Sequence, residues 1–325
     1  MSNELFLEPK TTQYGSHMIM SNVNKPLKTK YININTKFGD DYDYSQDSNY
    51  NITLPEKITN VTSMRVVSAE IPMSYYNISQ ALGNNYFYIT DVNNNFTKKV
   101  IVNDNLYTIP TLITAINASI TAVSSGSNIQ YIQTSIDPNN SKILKFGTNA
   151  NVSNTGTTSD MKFILNFSKI DISGNTYSKF DFKYRLGWLL GFRNPVITFT
   201  VPAGTKSSII ILTPEASADI YGPKYLYLAI EEFNKGNQSS FVTPLYKSLL
   251  NKNIIARITM NRNGGFDYGT VLPANNFNGL LMSDTRSYTG KIDLMKLNTQ
   301  LLTEDGIVVN LNGIDYSFCL EVTHE

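Results

Sequence analysis

Apolar and polar residues alternate along most of the chain, which is the period of half-buried strands. Tyr31-Ile32-Asn33-Ile34-Asn35 alternates, as does Tyr50-Asn51-Ile52-Thr53-Leu54, which Pro55 closes. Val61 to Ile71 is a long β-branched run stopped by Pro72. Tyr86–Thr90 and Phe96–Val102 flank a polar Asp91–Asn95 loop and predict a hairpin; Ile129–Ile136 and Ser141–Phe146 predict a second one around residues 137–140. Between the hairpins the period changes. Leu112, Ile113, Ile116 and Ile120 fall on one helical face behind Pro110, a residue suited to a first helical position. Further strands are predicted at Met161–Phe167, Val196–Val201, Ser207–Leu212, Tyr225–Phe233, Asn253–Met260, Lys291–Leu302 and Tyr316–Val322. Arg185–Phe192 reads as a compact apolar turn, and residues 148–160 and 261–280 read as loops.

This order predicts a mainly β protein: an antiparallel β-sandwich of jelly-roll type with an inserted α+β module. Residues 1–30 carry no sustained period and read as an extended N-terminal arm. Residues 31–83 and 193–325 are expected to form the sandwich, and residues 84–192 the inserted module. No internal repeat of fixed period is present.

Composition narrows the function classes. Of the 325 residues 16% are charged and 11% aromatic, and the net charge is +1. Too many aromatics and too little charge are present for charge-driven disorder, and a near-zero net charge argues against nucleic-acid binding through a global basic field. One cysteine, Cys319, leaves no intramolecular disulfide and no cysteine-based zinc site. The first ten residues contain no apolar stretch of the secretory kind, and no apolar run approaches the roughly 18 residues of a membrane helix. A reducing compartment is the expectation. Nine N-x-S/T sequons, among them Asn51, Asn60 and Asn77, follow from a content of 38 Asn.

Catalytic constellations are sparse. The two histidines, His17 and His324, lie towards the termini, outside the expected folded body, so neither is placed beside a nucleophile. Cys319 reads as a small buried hydrophobe. Ala203-Gly204-Thr205-Lys206-Ser207 echoes the tail of a phosphate-binding loop but lacks its first glycine and a following helix, and reads as a β-turn. Asp40, Asp41, Asp43 and Asp47 share a loop without calcium-site spacing. Glu231 and Glu232 fall on opposite faces of a strand, so they do not form a catalytic pair. Tyr42, Tyr44, Tyr75, Tyr76, Tyr86 and Tyr88 suit either a core and interface or a sugar platform. No catalytic, cofactor-binding or metal residue is assigned.

A surface of Asn, Ser, Thr and Tyr rather than Lys and Glu fits a protein whose surface is covered by neighbours, because charged side chains are depleted and aromatics enriched at interfaces. Codon bias in an AT-rich genome gives a similar composition. Several stretches carry a resemblance: residues 31–79 from YININTKFGDD to MSYYNIS, the helix segment Tyr107–Ile120, LGWLLGF (186–192), YGPKYLYLAIEEF (221–233) and YTGKIDLMKLNTQLLTEDGIVVNLNGIDYSFCLEV (288–322). Over most of its length the chain resembles minor capsid and penton (vertex) proteins of giant viruses, the nucleocytoplasmic large DNA viruses. The resemblance implies a structural jelly-roll protein with no enzymatic activity and no cofactor, located in the virion and synthesised and assembled in the host cytoplasm. The implied partners are itself, as a homopentamer, and major and other minor capsid proteins; direct nucleic-acid contact and a membrane span are not implied, though an internal membrane can lie close by. A cement protein beneath the facets and a glycan-binding attachment module are the alternatives, and a sandwich hydrolase with two carboxylates in a groove is a third.

Overall fold

The computed structural model describes residues 26–40, 48–149, 159–168, 182–205, 209–233, 237–238, 253–260 and 269–325. In chain order the strands are β1 (Lys28–Asn35), β2 (Asn49–Pro72), β3 (Tyr86–Asp91), β4 (Phe96–Ile101), β5 (Ile132–Asp137), β6 (Asn140–Thr148), β7 (Met161–Asn166), β8 (Val196–Val201), β9 (Ile210–Leu212), β10 (Tyr225–Glu231), β11 (Asn237–Gln238), β12 (Ile254–Thr259), β13 (Val271–Asn275), β14 (Leu281–Ser283), β15 (Arg286–Leu302) and β16 (Ser317–His324). Helix α1 spans Ile109–Val123 and the short α2 spans Leu186–Leu189. The protein is mainly β, with curled antiparallel sheets of the sandwich, jelly-roll kind.

Strand β2 organises the larger sheet, whose order is β1-β16-β2-β15-β10-β12-β14, with β13 also on β2 and β11 on β15. Where the sequence predicts two strands separated at Pro55, the structure has one strand of 24 residues. The inward residues of β2 explain the difference. Tyr50, Ile52 and Leu54 keep period two; the next buried residues are Ile58, Val61, Met64, Val66, Ala69 and Ile71, and the phase slips repeatedly. Three slips coincide with β-bulges. Val67 is extra against β16, between the pairs Ser68–Cys319 and Val66–Leu320. Thr62 is extra between Ser63–Thr323 and Val61–His324. Against β15, three residues of β2 from Ile58 oppose two from Ile292, and Asn60 takes a positive φ of 58° there. Bulges bend a strand and increase its twist. Pro55, which lacks an N–H, sits in a gap in the pairing between Thr53–Lys296 and Ile58–Leu294. The bent sheet curls until β14 returns to β2, where Val66 N–H donates to Ser283 Oγ at 3.1 Å. The space enclosed is an aliphatic core of Leu54, Val61, Val66, Ile71, Leu226, Ile230, Ile258, Leu297, Leu301, Leu320 and their neighbours.

A second core is rich in phenylalanine. Strands β4-β3-β7-β8 form one sheet and β5-β6-β9 another. Phe87, Phe146, Phe167 and Phe192 meet between them, with centroid separations of 5.4 Å for Phe87–Phe167 and 5.5 Å for Phe167–Phe192. Helix α1 adds Leu112, Ile116 and Ile120, as its spacing predicts. Thr108 is its N-cap, in a reciprocal capping box with Thr111, which puts Pro110 at the second helical position.

The division between the cores differs from the expected boundaries. Phe199, Val201, Ala218 and Ile220 belong to the second core, and β8 and β9 pair with β7 and β6. This second unit, the excursion, draws its core from residues between Ile78 and Ile220. Alternation in Val196–Val201 shows a strand but not which sheet it joins. At the arm, Lys28–Lys30 are the first residues of β1, while residues 1–25 lie outside the described residues. The expected 261–280 loop contains β13, and residues 261–268 lie outside the description.

Candidate assembly surface

Edges and tips, rather than a pocket, carry the unusual surface. The larger sheet curls back at β14, but among the described residues β1 pairs only with β16, and its other edge is open. Leu27 and Tyr31 are both 62% exposed at this edge, and Phe38 is 74% exposed in the 3-10 turn that follows. Phe277 is fully exposed at the tip between β13 and β14. That tip is built by two asparagines: Asn275 Oδ1 accepts from Phe277 N and Asn278 N, Asn278 Oδ1 accepts from Asn275 N and Leu280 N, and Asn278 Nδ2 donates to Pro273 O at 2.6 Å. A phenyl ring is thus held into solvent by a preorganised loop.

The outer face of β4-β3-β7-β8 is a second open surface. Tyr86 packs edge-on to Tyr88, with Lys99 Nζ 4.2 Å from its ring centroid. Arg185 Nη1 donates to Tyr86 Oη and to Gly83 O. Ile101 and Val196 are exposed on the outer strands.

Two buried nodes, at Ser74 and Asn77, flank the passage from β2 into the second core. Asn77 Nδ2 donates to Tyr107 O and Ile220 O, and its Oδ1 accepts from Tyr107 N. Ser74 Oγ donates to Leu311 O, and Asn312 Nδ2 donates to Ser74 O. The exit and return of the excursion are thereby tied together. The sequon at Asn77 is buried in this joint, where a glycan has no room.

The residues weighed for chemistry are dispersed. His17, Tyr42, Tyr44, Asp41, Asp43 and Asp47 lie outside the described residues. His324 stands in β16, opposite Lys28 and Val61, so it belongs to the folded body, contrary to expectation. Its place follows from β16 running to the last residues of the chain. Asp40 accepts from Thr53 N and Oγ1, and the hydroxyl bond holds its carboxyl below the usual range. Cys319 is half-buried on β16; burial, then Glu70 and Glu321, push its thiol up, which disfavours the nucleophilic thiolate. Gly204 takes a positive φ in a turn closed by Thr205 N–H to Pro202 O, as the β-turn reading expects. Tyr75 and Tyr88 are buried, and Tyr76 and Tyr86 are half-buried. Glu231 and Glu232 differ in environment: Glu231 is half-buried, while Glu232 is 4% exposed.

Glu232 marks a feature that sequence reading missed. Arg286, 1% exposed, donates from Nη1 to Glu232 Oε2 at 2.7 Å and to Ile230 O, and from Nη2 to Asn253 O. One guanidinium thus ties the end of β10 to the start of β12. Tyr288 shares this interior; burial, then the Glu232 carboxylate, push its phenol far up. A signal exists in the sequence, since Leu226, Leu228, Ile230 and Glu232 share one strand parity and the carboxylate is therefore directed at the core. The partner, 54 residues away, is not legible from spacing. Glu321 pairs with Arg65 through two hydrogen bonds, and this bonding holds its carboxyl below the usual range.

Among the described residues no helix is long and apolar enough to cross a membrane. No protein-family model and no curated protein matches the chain. Among solved structures, the chain is similar to the mavirus penton protein, with a TM-score of 0.47 and 12% identity over 92% of this chain and 99% of that one. It is also similar to a chain of the Sputnik virophage structure, with a TM-score of 0.44 and 13% identity over 92% of this chain and 98% of that one.

Proposed function

We propose that this protein is a structural subunit of an icosahedral viral capsid, acting at the vertex as a homopentamer that also contacts major capsid proteins. The observation that carries this reading is the set of large apolar side chains held into solvent on ordered elements: Tyr31 on an edge strand, Phe38 on a capped turn and Phe277 on an asparagine-braced tip. Solvent-exposed phenyl rings on rigid loops lose little conformational entropy on docking, which makes them efficient contact anchors. A net charge of +1 sets up little repulsion between copies. The sequence resemblance to minor capsid and penton proteins points the same way. Function then lies in burial: each interface stabilises the shell at roughly 25 cal/mol per Å² of apolar surface before association costs. Five-fold closure requires a head-to-tail interface, in which two different patches of one chain meet. Cement beneath the facets uses the same chemistry without the closed ring, and glycan attachment would draw instead on the Tyr86, Lys99 and Arg185 face.

Electron-microscopy class averages of the purified full chain test this. Closed five-membered rings are the expected result. Single copies at all concentrations, together with retention on a glycan array that the Tyr86→Ala variant abolishes, would overturn it in favour of attachment.

A further inference from the structure

The open edge of β1 has a defined hydrogen-bonding parity. Thr36 N–H donates to Tyr316 O, continuing the ladder in which Asn35 faces Ser317. In an antiparallel ladder the bonded pairs alternate, so residues 28, 30, 32 and 34 are bonded to β16, and the main-chain groups of Thr29, Tyr31, Asn33 and Asn35 point away from it. All four of these residues are exposed. The pairing of β1 with β16 runs eight residues without a register shift, and among the described residues no other strand pairs with β1. Natural sheets usually protect such an edge with bulges, proline or charge. Here Lys28 and Lys30 guard only its first half, and Lys30 is engaged by Glu56. Ile32 and Ile34 pack towards the aliphatic core from the last strand on this side.

We propose that the edge of β1 is a strand-addition site, occupied by residues 4–8 of a second copy of this chain. The proposal rests on the assembly reading above and names its contact. Residues 1–25 directly precede the described part of the chain, and at ~3.3 Å per extended residue they reach up to about 80 Å. That is several times the roughly 27 Å length of the β1 edge, and long enough to reach a neighbouring subunit. Within this segment Glu4-Leu5-Phe6-Leu7-Glu8 is an apolar run of three residues set between two carboxylates. Leu5 and Leu7 share one parity and extend the core layer beside Ile32 and Ile34. Phe6 takes the other parity, beside exposed Tyr31. Glu4 and Glu8 bring carboxylates to an edge whose near end carries Lys28. Main-chain bonds then supply affinity and the alternate side chains supply register.

Hydrogen exchange of the full-length protein, followed across a hundredfold range of concentration, tests the contact, with native mass spectrometry of the same samples. Amides of Thr29, Tyr31 and Asn33 should slow at least tenfold as oligomers form, and the L5D/L7D double variant should return them to rapid exchange. Asn33→Pro removes only an outward N–H and should have the same effect on Tyr31 while leaving the β16 amides protected. Rapid exchange in a sample that is oligomeric overturns this contact and leaves the assembly reading standing. Slow exchange that is independent of concentration, or that survives L5D/L7D, overturns the second copy or residues 4–8 as occupant. A monomer at every concentration overturns both.

Discussion

The two cores of this protein solve the same burial problem with different materials. Among the described residues the curled sandwich encloses mostly aliphatic side chains, with Tyr50, Tyr75, Tyr316 and a single phenylalanine, Phe318, and it admits one buried ion pair, Arg286–Glu232. The excursion packs Phe87, Phe146, Phe163, Phe167, Phe182, Phe192 and Phe199 into one core with the buried face of helix α1. A strand bent by bulges, such as β2, presents its inward residues at irregular spacing, and small branched side chains fill such space. Two short sheets facing each other leave slots that rings fill in edge-on and stacked pairs. The sandwich therefore depends on where its strands bend and the excursion on how its rings interlock. Each should therefore fail through a different kind of substitution.

The largest effects break one core at a time. Arg286→Met leaves Glu232 buried without its cation, and removing one partner of a buried pair costs about 3–5 kcal/mol. Phe167→Ala empties the ring cluster and costs about 3–5 kcal/mol. Denaturant unfolding followed by hydrogen exchange should show R286M loosening β10 and β12 while α1 stays protected, and F167A doing the reverse. Equal loss in both regions from either variant would show that the cores are one cooperative unit. Gly191 sharpens the point, because with φ of 100° and the Ala216 carbonyl against it, any Cβ collides with backbone. Gly191→Ala should destabilise the excursion selectively.

A smaller effect tests the joint. Asn77→Ala leaves the Tyr107 N–H and the Ile220 carbonyl without their partner, at about 1–3 kcal/mol. Its signature should be separation of one unfolding transition into two. Thr108→Ala, which removes the N-cap of α1, should cost about 1 kcal/mol and act on the excursion alone.

The smallest effect is the response to acid. Glu321 bonded by Arg65 and Asp137 bonded by Lys145 have carboxyls held below their ordinary values. Their contribution is full above the unfolded-state range near pH 4 and is lost as pH falls through the lower folded values. Thermal stability should be flat from pH 7 to 5 and fall below about pH 4, with the fall shallower in Glu321→Gln.

Much of this architecture was legible in the chain. Alternation located β1, β3, β4, β7 and β16, and the Leu112, Ile116 and Ile120 spacing located α1 with its buried face. Continuity across Pro55 was not legible, because a bulge accommodates a missing N–H only when a partner strand slips with it, and the partner lies more than 200 residues on. The return of the excursion near Ile220 was hidden for a related reason: alternation fixes a strand's faces, while sheet membership depends on distant pairing. For the assembly surface, aromatic abundance pointed to contacts, but only the structure separates buried Tyr75 and Tyr88 from exposed Tyr31 and Phe277. No local pattern marks Phe277 as exposed until the Asn275–Asn278 brace around it is seen.

Self-association is the claim on which the rest depends, and native mass spectrometry of the intact chain at micromolar concentration reads it most directly. The account predicts a dominant species of five chain masses that dissociates when Phe277 and Tyr31 are both replaced by Ser, with the monomer remaining folded. A single chain mass at every concentration, or an oligomer indifferent to those substitutions, would contradict it.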